Sequence, residues 1–167
     1  MNVSRPLVLT GFMGAGKSTV GPIVAESLHR DFYDNDERVG LLFGRTPAHL
    51  IREDGESAFR EIEVSVLAGL IEAPDVVVAT GGGIVATDLG RGFLRAVRAD
   101  IVWLRTTFEE AERRVKLDEL NDRPLFDASV RDRFDARQEW YAHTAHYVVD
   151  VVGKSATEVA QQIVSQY

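Results

Sequence analysis

Short apolar runs alternate along this chain with longer segments in which apolar residues recur at helical spacing. The runs occupy residues 6–10, 76–79, 101–104 and 147–151, and a weaker one at 31–33 ends in Asp34. The helical pattern covers 16–28, 58–71, 88–98, 108–120 and the chain from about 156. Alternating buried strands and helices are typical of α/β proteins. The pattern therefore predicts a three-layer α/β fold, with a five-stranded parallel sheet flanked by helices.

Two helix signals refine this prediction. Pro22 lies inside the first helical segment and removes the backbone hydrogen bond to the Ser18 carbonyl, at a cost of roughly 3 kcal/mol. We expect a kink at this position and not a break. Ser155 and Glu158 have the spacing of a capping box, which predicts that the last helix begins just after Ser155.

A glycine-rich segment, GFMGAGKST at residues 11–19, follows the first apolar run and opens the first helix. In such a segment glycines let successive backbone N–H groups face phosphate oxygens, and the helix N-terminus adds a positive dipole end. Lys17 is placed to reach the β- and γ-phosphates, and Ser18 to bind Mg²⁺. The segment therefore predicts a P-loop nucleotide site.

Composition limits the other classes of function. With 167 residues and 45% hydrophobic content, we expect one domain over residues 1–167. A formal charge of −7 and a pI near 5.1 argue against binding nucleic acid or a membrane surface. The chain has no cysteine and no apolar stretch long enough to span a bilayer. A cytoplasmic location is the simplest expectation.

The carboxylates that could serve the nucleotide site narrow the chemistry. No N-K-x-D segment is present, which disfavours a signalling GTPase, and the strand at 76–79 runs into Thr80 and three glycines without an acidic residue. Asp34, at the carboxyl end of its own strand, is then the expected metal carboxylate. Asp36 would project to the same side if the chain stays extended. A carboxylate pair favours a hydroxyl acceptor over an anionic phosphate acceptor.

Each of these residues also has an ordinary interpretation. Asp34 and Asp36 could belong to a turn or a helix N-cap, where aspartate is common. Arg60 could pair with a substrate carboxylate through its planar guanidinium, but a single arginine on a helix is usually a solvated charge. Taken one at a time, none of the three identifies an acceptor site.

Six short segments of this chain match, in the same order, the motifs of one known enzyme family. The chain resembles the shikimate kinases, which belong to the nucleoside-monophosphate-kinase-like group of P-loop enzymes, and the resemblance covers essentially its whole length. The segments are GFMGAGKSTVG at 11–21, Asp34-x-Asp36, Gly55-Glu56-x-x-Phe59-Arg60-x-x-Glu63, Thr80-Gly81-Gly82-Gly83, Arg123-Pro124-Leu125 and Arg137-x-x-x-Tyr141-x-x-x-Ala145.

The resemblance implies a role for each matching residue. It implies transfer of the γ-phosphoryl group of MgATP to the 3-hydroxyl of shikimate, with a small substrate-binding helical segment at about 35–63 and a mobile lid at about 117–130. The implied ATP-binding residues are Gly14, Ala15, Gly16, Lys17, Ser18, Thr19, Arg114 and Arg123. Ser18 and Asp34 would govern Mg²⁺. The implied shikimate-binding residues are Asp36, Arg60, Gly82 and Arg137. Lys17, Asp36 and Arg123 would be catalytic.

Two alternatives stay open at this stage. One is another small-molecule kinase of the same group, such as a gluconate kinase, although the settings of Arg60 and Arg137 speak against it. The other is a non-catalytic nucleotide-binding regulator, against which the presence of Lys17, Asp34, Asp36 and Arg123 argues. A monomer is the default expectation, because no long exposed apolar stripe is evident.

Overall fold

The strands form one parallel sheet, as the apolar runs predicted. The protein is described here by a computed structural model, which covers residues 4–117, 125 and 127–167. The strands are β1 (Leu7–Thr10), β2 (Asp31–Asp34), β3 (Val76–Ala79), β4 (Asp100–Arg105) and β5 (Tyr147–Asp150). Their order across the sheet is β2-β3-β1-β4-β5, with every neighbouring pair parallel. The weak strand at 31–33 is confirmed as β2.

Helices cover both faces of the sheet. They are α1 (Lys17–Leu28), α2 (Asn35–Phe43), α3 (Pro47–Asp54), α4 (Glu56–Leu70), α5 (Asp88–Ala96), α6 (Phe108–Leu117), α7 (Val130–Thr144) and α8 (Ala156–Val164), and a 3₁₀ turn spans Ile84–Ala86. Side chains of a strand alternate between its faces, so Leu7 and Leu9 of β1 pack against α1 and α8, while Val8 packs on the opposite side with α4 and α7. The three-layer α/β arrangement is confirmed.

A third, smaller apolar cluster lies beside the sheet and joins α2, α3 and α4. Val39, Leu50, Phe59 and Val66 form its buried part. The resemblance implied a helical segment here, whereas the apolar pattern did not predict α2 or α3. Pro47 is the first residue of α3, where its fixed φ suits a helix start, and the Thr46 side chain caps the helix by accepting from the His49 N–H.

The chain does not stay extended after Asp34, and the N-cap alternative for this residue is confirmed. Asp34 is the N-cap of α2, and its Oδ1 accepts from the backbone N–H groups of Asp36 and Glu37. A carboxylate at this position satisfies helix donors that otherwise have no partner, so the chain turns into a helix at once. Asp36 consequently lies in the first turn of α2 and not two residues along a strand.

Helix α7 was not predicted by the apolar pattern. Its buried positions are Val130, Phe134, Arg137, Tyr141 and Thr144, which follow a helical spacing. Because one member of this buried stripe is an arginine and another a threonine, a search for apolar periodicity misses it. The expected continuity of α1 through Pro22 and the capping box of Ser155 and Glu158 are both confirmed.

The carboxyl ends of β1, β2 and β3 lie at one edge of the sheet, and the segments that follow them approach one another there. The P-loop follows β1, Asp34 ends β2, and the three glycines at 81–83 follow β3. Ligands of open parallel sheets bind at this edge. Among the described residues, no helix has the length and apolar character needed to cross a membrane.

Candidate active site

The P-loop between β1 and α1 presents backbone donors at the start of a helix. Gly14 and Gly16 have φ values of 78° and 93°, a region that side-chain-bearing residues rarely adopt. A Cβ at Gly14 would also lie 2.7 Å from the carbonyl oxygen of Ala111. No side chain caps α1, and its first turn carries no acidic residue. The N–H groups and positive end of the helix are thereby left to an anionic ligand.

Lys17 and Ser18, the first two residues of α1, place a cation and a hydroxyl at this helix end. The Lys17 Nζ donates to the carbonyl oxygens of Gly11 and Phe12, at 2.7 and 3.0 Å, and the residue is 8% exposed. The Ser18 hydroxyl donates to Asp34 Oδ2 over 2.6 Å. One hydroxyl oxygen and one carboxylate therefore meet where β1 and β2 end, and these are oxygen ligands that suit Mg²⁺. The described residues hold no cluster of three or more acidic or histidine ligands.

A cavity of about 960 Å³ extends from the P-loop toward α8. At the P-loop end it is lined by residues 13–20 together with Asp34, Asp36, Gly81 and Gly82. At the far end the lining consists of Arg114, Val151, Lys154, Ala156 and Val159. Arg114 donates to Glu110 Oε1 over 2.6 Å and to the Gly14 carbonyl over 3.3 Å, so its guanidinium lies across the loop. The cavity thus offers a P-loop end for phosphates and a far end where Val151, Ala156 and Val159 give apolar surface beside the cations Arg114 and Lys154.

Asp36 and Glu63 both lie close to Gly81. A Cβ at Gly81 would overlap Glu63 Oε1 and would lie 2.9 Å from Asp36 Oδ1. Glu63 is fully buried on α4, and its backbone carbonyl accepts from the side-chain amide of the buried Asn35 over 3.0 Å. Two carboxylates from different helices therefore approach the same backbone position next to the P-loop.

Arg60 extends this chain of charges away from the P-loop. It is 4% exposed, and its Nη1 donates to Glu63 Oε2 over 2.8 Å. Its Nη2 donates to Glu56 Oε1 over 3.0 Å. The alternative that Arg60 is a solvated charge is therefore wrong. A Cβ at Gly83 would overlap its guanidinium, so glycine at 83 is needed for Arg60 to lie where it does.

Arg137 and Tyr141 of α7 reach the same glycine segment from the other side. The Nη1 of Arg137 donates to the Gly82 carbonyl over 3.2 Å, and the Tyr141 hydroxyl donates to the same oxygen. Arg137 is 2% exposed and Tyr141 is fully buried. Gly82 also lies against the P-loop, because a Cβ there would come 3.0 Å from the Met13 nitrogen. The glycines at 81–83 therefore connect the P-loop to both arginines.

A second cavity of about 500 Å³ lies beside Arg60 and Arg137. Glu56, Arg133 and Trp140 are also in its lining. The Nε groups of Arg60 and Arg137 are buried and have no hydrogen-bond partner in the part of the chain that the structure describes. Buried donors without an acceptor are unusual and concentrate at sites that bind or react. The two arginines do not line the cavity at the P-loop.

Burial and charge shift the protonation equilibria of this cluster. Burial raises the pKa of Glu63 to about 7, and the neighbouring Asp36 raises it as well, whereas Arg60 lowers it. Burial likewise raises the pKa of Tyr141. Burial lowers the pKa of Arg137, as does the positive charge of Arg60, while Glu56 acts in the opposite direction. The pKa of Arg60 is raised despite burial, because Glu63 and Glu56 both pair with its guanidinium. Of the two buried guanidinium groups, Arg137 is therefore the one that anions compensate incompletely.

The structure brings together every predicted site residue except one. Lining the larger cavity are Gly14, Ala15, Gly16, Lys17, Ser18, Thr19, Asp34, Asp36, Gly82 and Arg114. Arg60 and Arg137 meet at the smaller cavity and connect to the larger one through Gly82 and Glu63. Arg123 lies outside the described residues, as do the residues at 118–124 and 126 of the predicted lid.

Sequence reasoning gave no role to three residues of the cluster: Glu56, Glu63 and Tyr141. For the two glutamates a sequence signal was available, namely their helical spacing from Arg60. Glu56 lies four residues before it and Glu63 three residues after it, which places all three on one face of a helix. Tyr141 follows Arg137 by one helical turn. What the sequence could not reveal is that this face is buried.

The site combines three features: a P-loop with its lysine and serine, an adjacent pair of carboxylates, and a buried pair of arginines. Together they define an ATP-dependent kinase with a small-molecule acceptor. The comparisons with known proteins are more specific. The shikimate kinase family model matches residues 13–167, and the chain belongs to this family.

Individual relatives agree with that assignment. The shikimate kinase of Alteromonas mediterranea is 37% identical in an alignment of 171 positions that covers 99% of this chain and 98% of that protein. The structure of shikimate kinase from Acinetobacter baumannii in complex with shikimate superposes with a TM-score of 0.89 at 34% identity, covering 98% of this chain and 92% of that one. A gluconokinase from Sinorhizobium meliloti, at 18% identity and a TM-score of 0.64 over 99% of this chain and 92% of that one, shares the fold alone.

Proposed function

We propose that this chain transfers the γ-phosphoryl group of ATP to the 3-hydroxyl of shikimate, giving shikimate 3-phosphate and ADP. The observation that carries the proposal is the position of Arg60 and Arg137, two arginines almost fully buried beside the glycines that adjoin Asp36 and the P-loop. A carboxylate with several hydroxyl groups fits this arrangement, since guanidinium groups pair with its charged end and a carboxylate faces a hydroxyl.

At the nucleotide end, residues Gly14 to Thr19 would hold the phosphates through backbone N–H groups and the end of α1. Lys17 would offset charge on the β- and γ-phosphates, as it is the cation inside the loop. The Ser18 hydroxyl and Asp34 fit a divalent cation, and Mg²⁺ bound there would offset charge on the transferred group. Arg114 would lie along the nucleotide, between the P-loop and the base.

At the acceptor end, Arg60 and Arg137 would bind the shikimate carboxylate, and Asp36 would accept a hydrogen bond from the 3-hydroxyl. As the hydroxyl oxygen forms its bond to the γ-phosphorus, the bond from that phosphorus to the β-phosphate oxygen breaks, and the proton passes to Asp36. Gly82, without a side chain, would let its backbone approach a ring hydroxyl. ADP leaves with the charge of the broken bond.

Several expectations remain proposals. Arg123 would close onto the transferred phosphoryl group from a lid at about 117–130, and closure would exclude water from the reaction. A single domain over 1–167, a monomeric state and a cytoplasmic location also rest on the sequence alone. The acidic net charge supports the absence of nucleic-acid or membrane partners.

A coupled ADP-release assay tests the acceptor directly. The protein is given MgATP with shikimate, gluconate, AMP or no acceptor, and Arg60→Ala and Asp36→Asn are measured alongside. We expect ADP release that depends on shikimate and is lost in both variants. Release with gluconate or AMP instead would exclude shikimate as the acceptor. Slow hydrolysis independent of any acceptor would favour a non-catalytic regulator.

A further inference from the structure

Arg60 is held by two glutamates of its own helix, and the two differ in their surroundings. Glu63 is fully buried beneath the guanidinium, whereas the Glu56 side chain is 38% exposed at the first turn of α4. Each accepts from a different terminal nitrogen of Arg60, at 2.8 Å for Glu63 and 3.0 Å for Glu56. One carboxylate is thus fixed inside the protein and the other can move toward solvent.

Glu56 lies where an acceptor carboxylate would bind. It lines the smaller cavity together with Arg60 and Arg137, and its charge acts on Arg137 as well as on Arg60. Glu56 is thus a carboxylate in contact with Arg60 at the wall of the same cavity. A ligand carboxylate that pairs with both terminal nitrogens of Arg60 would need at least the nitrogen that Glu56 now occupies.

We propose that Glu56 is an internal competitor for the acceptor carboxylate, which occupies Arg60 in the empty site and is displaced toward solvent when shikimate binds. The inference rests on the proposed acceptor. Glu56 then sets the affinity of the site, because every anion that binds Arg60 must compete with the same carboxylate. Only a ligand with further contacts, such as hydroxyl groups near Asp36, binds well. Because this competition weakens the binding of all anions equally, the additional contacts would make the site specific for shikimate over simpler carboxylates.

The competing view gives Glu56 a positioning role, in which it stays on Arg60 and holds the guanidinium ready for the ligand. The two views predict opposite effects of removing its charge. Competition predicts tighter binding of shikimate, because an anion no longer has to leave. Positioning predicts weaker binding, because Arg60 loses part of its support.

The test compares Glu56→Gln with Glu61→Gln, an exposed glutamate on the same helix, whereas the ion pairs of Arg60 are with Glu56 and Glu63. Dissociation constants for shikimate and for its neutral carboxamide are measured by calorimetry. We expect Glu56→Gln and Glu56→Ala to tighten shikimate binding by about threefold to tenfold, and Glu61→Gln to match the unmodified chain. The carboxamide should show no such gain, because it does not compete for the same charge.

Unchanged or weaker shikimate binding in Glu56→Gln would overturn the inference, as would an equal gain for the carboxamide. Glu56→Ala repeats the comparison without an amide that could still accept from Arg60. If the unmodified chain binds MgADP but not shikimate, the proposed acceptor is wrong and this inference fails with it. If it binds shikimate and the Glu56 variants do not gain, only the inference fails.

Discussion

The two ends of the active site are built in different ways. The nucleotide end is built around the consecutive residues 14–19, whose backbone N–H groups, one lysine and one hydroxyl provide most of its contacts, with Asp34 and Arg114 added from other elements. The acceptor end draws on α2, α4, the glycines at 81–83 and α7, and charged side chains provide its contacts. A site built from backbone N–H groups depends on the geometry of one loop. A site built from side chains depends on the correct packing of elements that are far apart in the sequence.

This difference determines how each end can fail. Charges buried at the acceptor end must be compensated, because an unpaired buried charge is destabilising. Glu63 compensates Arg60 from inside the fold, and Glu56 does so from the cavity wall. Substitutions at the acceptor end should therefore affect stability and pH dependence as well as binding. Substitutions at the nucleotide end should affect mainly the rate of transfer.

The largest effect is expected at the nucleotide end. Lys17→Ala removes the cation inside the P-loop and should lower kcat by about 10³-fold, because charge on the transferred group is no longer offset. Its shikimate dissociation constant should stay within about twofold. Steady-state kinetics and calorimetry measure both, with the exposed Lys116→Ala as control. A comparable loss of shikimate affinity would show that the two ends are not separable.

Substitution at the acceptor end should weaken the use of shikimate and leave ATP binding unchanged. Arg60→Lys keeps a positive charge but loses the planar pair of donors, so kcat/KM for shikimate should fall by about 10²-fold. KM for ATP should not change. Kinetics with each substrate varied in turn separates the two effects. Near-normal activity in this variant would mean that charge alone, and not bidentate geometry, binds the acceptor.

Glu63 should make the free energy of unfolding depend on pH. Its pKa is raised from 4.5 to about 7, mainly by burial, so between these values the folded protein keeps a proton that the unfolded chain has lost. Raising the pH through this window therefore favours unfolding, by on the order of 3 kcal/mol. Below pH 4.5 the contribution is fully present, and above about 7 it is lost.

Urea unfolding between pH 4.5 and 8 tests this sign. Glu63→Gln cannot ionise, so its stability should decline less over that window than that of the unmodified chain. Glu61→Gln, two residues away and exposed, serves as the control. Glu110 and Asp127, whose pKa values are lowered to about 2 by arginine partners, act at lower pH and do not confuse the result. Equal pH slopes in Glu63→Gln and the unmodified chain would contradict this account of Glu63.

The smallest effect is expected from a single methyl group. Gly83→Ala would place a Cβ on the Arg60 guanidinium, which must then shift within a buried site, and shikimate affinity should fall by about tenfold. Gly92→Ala is the matched control, because nothing lies within 4 Å of a Cβ at that position. The control should be neutral or slightly stabilising in helix α5. Equal shikimate affinity in the two variants would show that Arg60 tolerates displacement.

The sequence predicted the nucleotide end well because its information is local. Gly14, Gly16, Lys17 and Ser18 sit next to one another, and their spacing already specifies a loop followed by a helix. The sheet was equally accessible, since its central strands β1, β3 and β4 are apolar except at strand ends. In both regions the periodicity and the residue chemistry point to the same structure.

The acceptor end was less accessible for a physical reason. In α7 the buried stripe contains Arg137, so the helix does not look amphipathic. After β2, the sequence left an extended segment and a helix N-cap at Asp34 both open, and the structure has the N-cap. The burial of Arg60 and Glu63 depends on glycines 20 residues further along the chain. Such features come from packing between elements, which local patterns do not encode.

The central claim, that the two ends bind their ligands separately, is tested most directly by equilibrium binding to Arg137→Ala. This residue lies at the acceptor end but contacts Gly82, which packs against the P-loop, so it could couple the two. Calorimetry with MgADP and with shikimate gives both constants in one protein. We predict that shikimate binding weakens by about 30-fold or more while MgADP binding stays within twofold. Equal weakening for both ligands would contradict the claim.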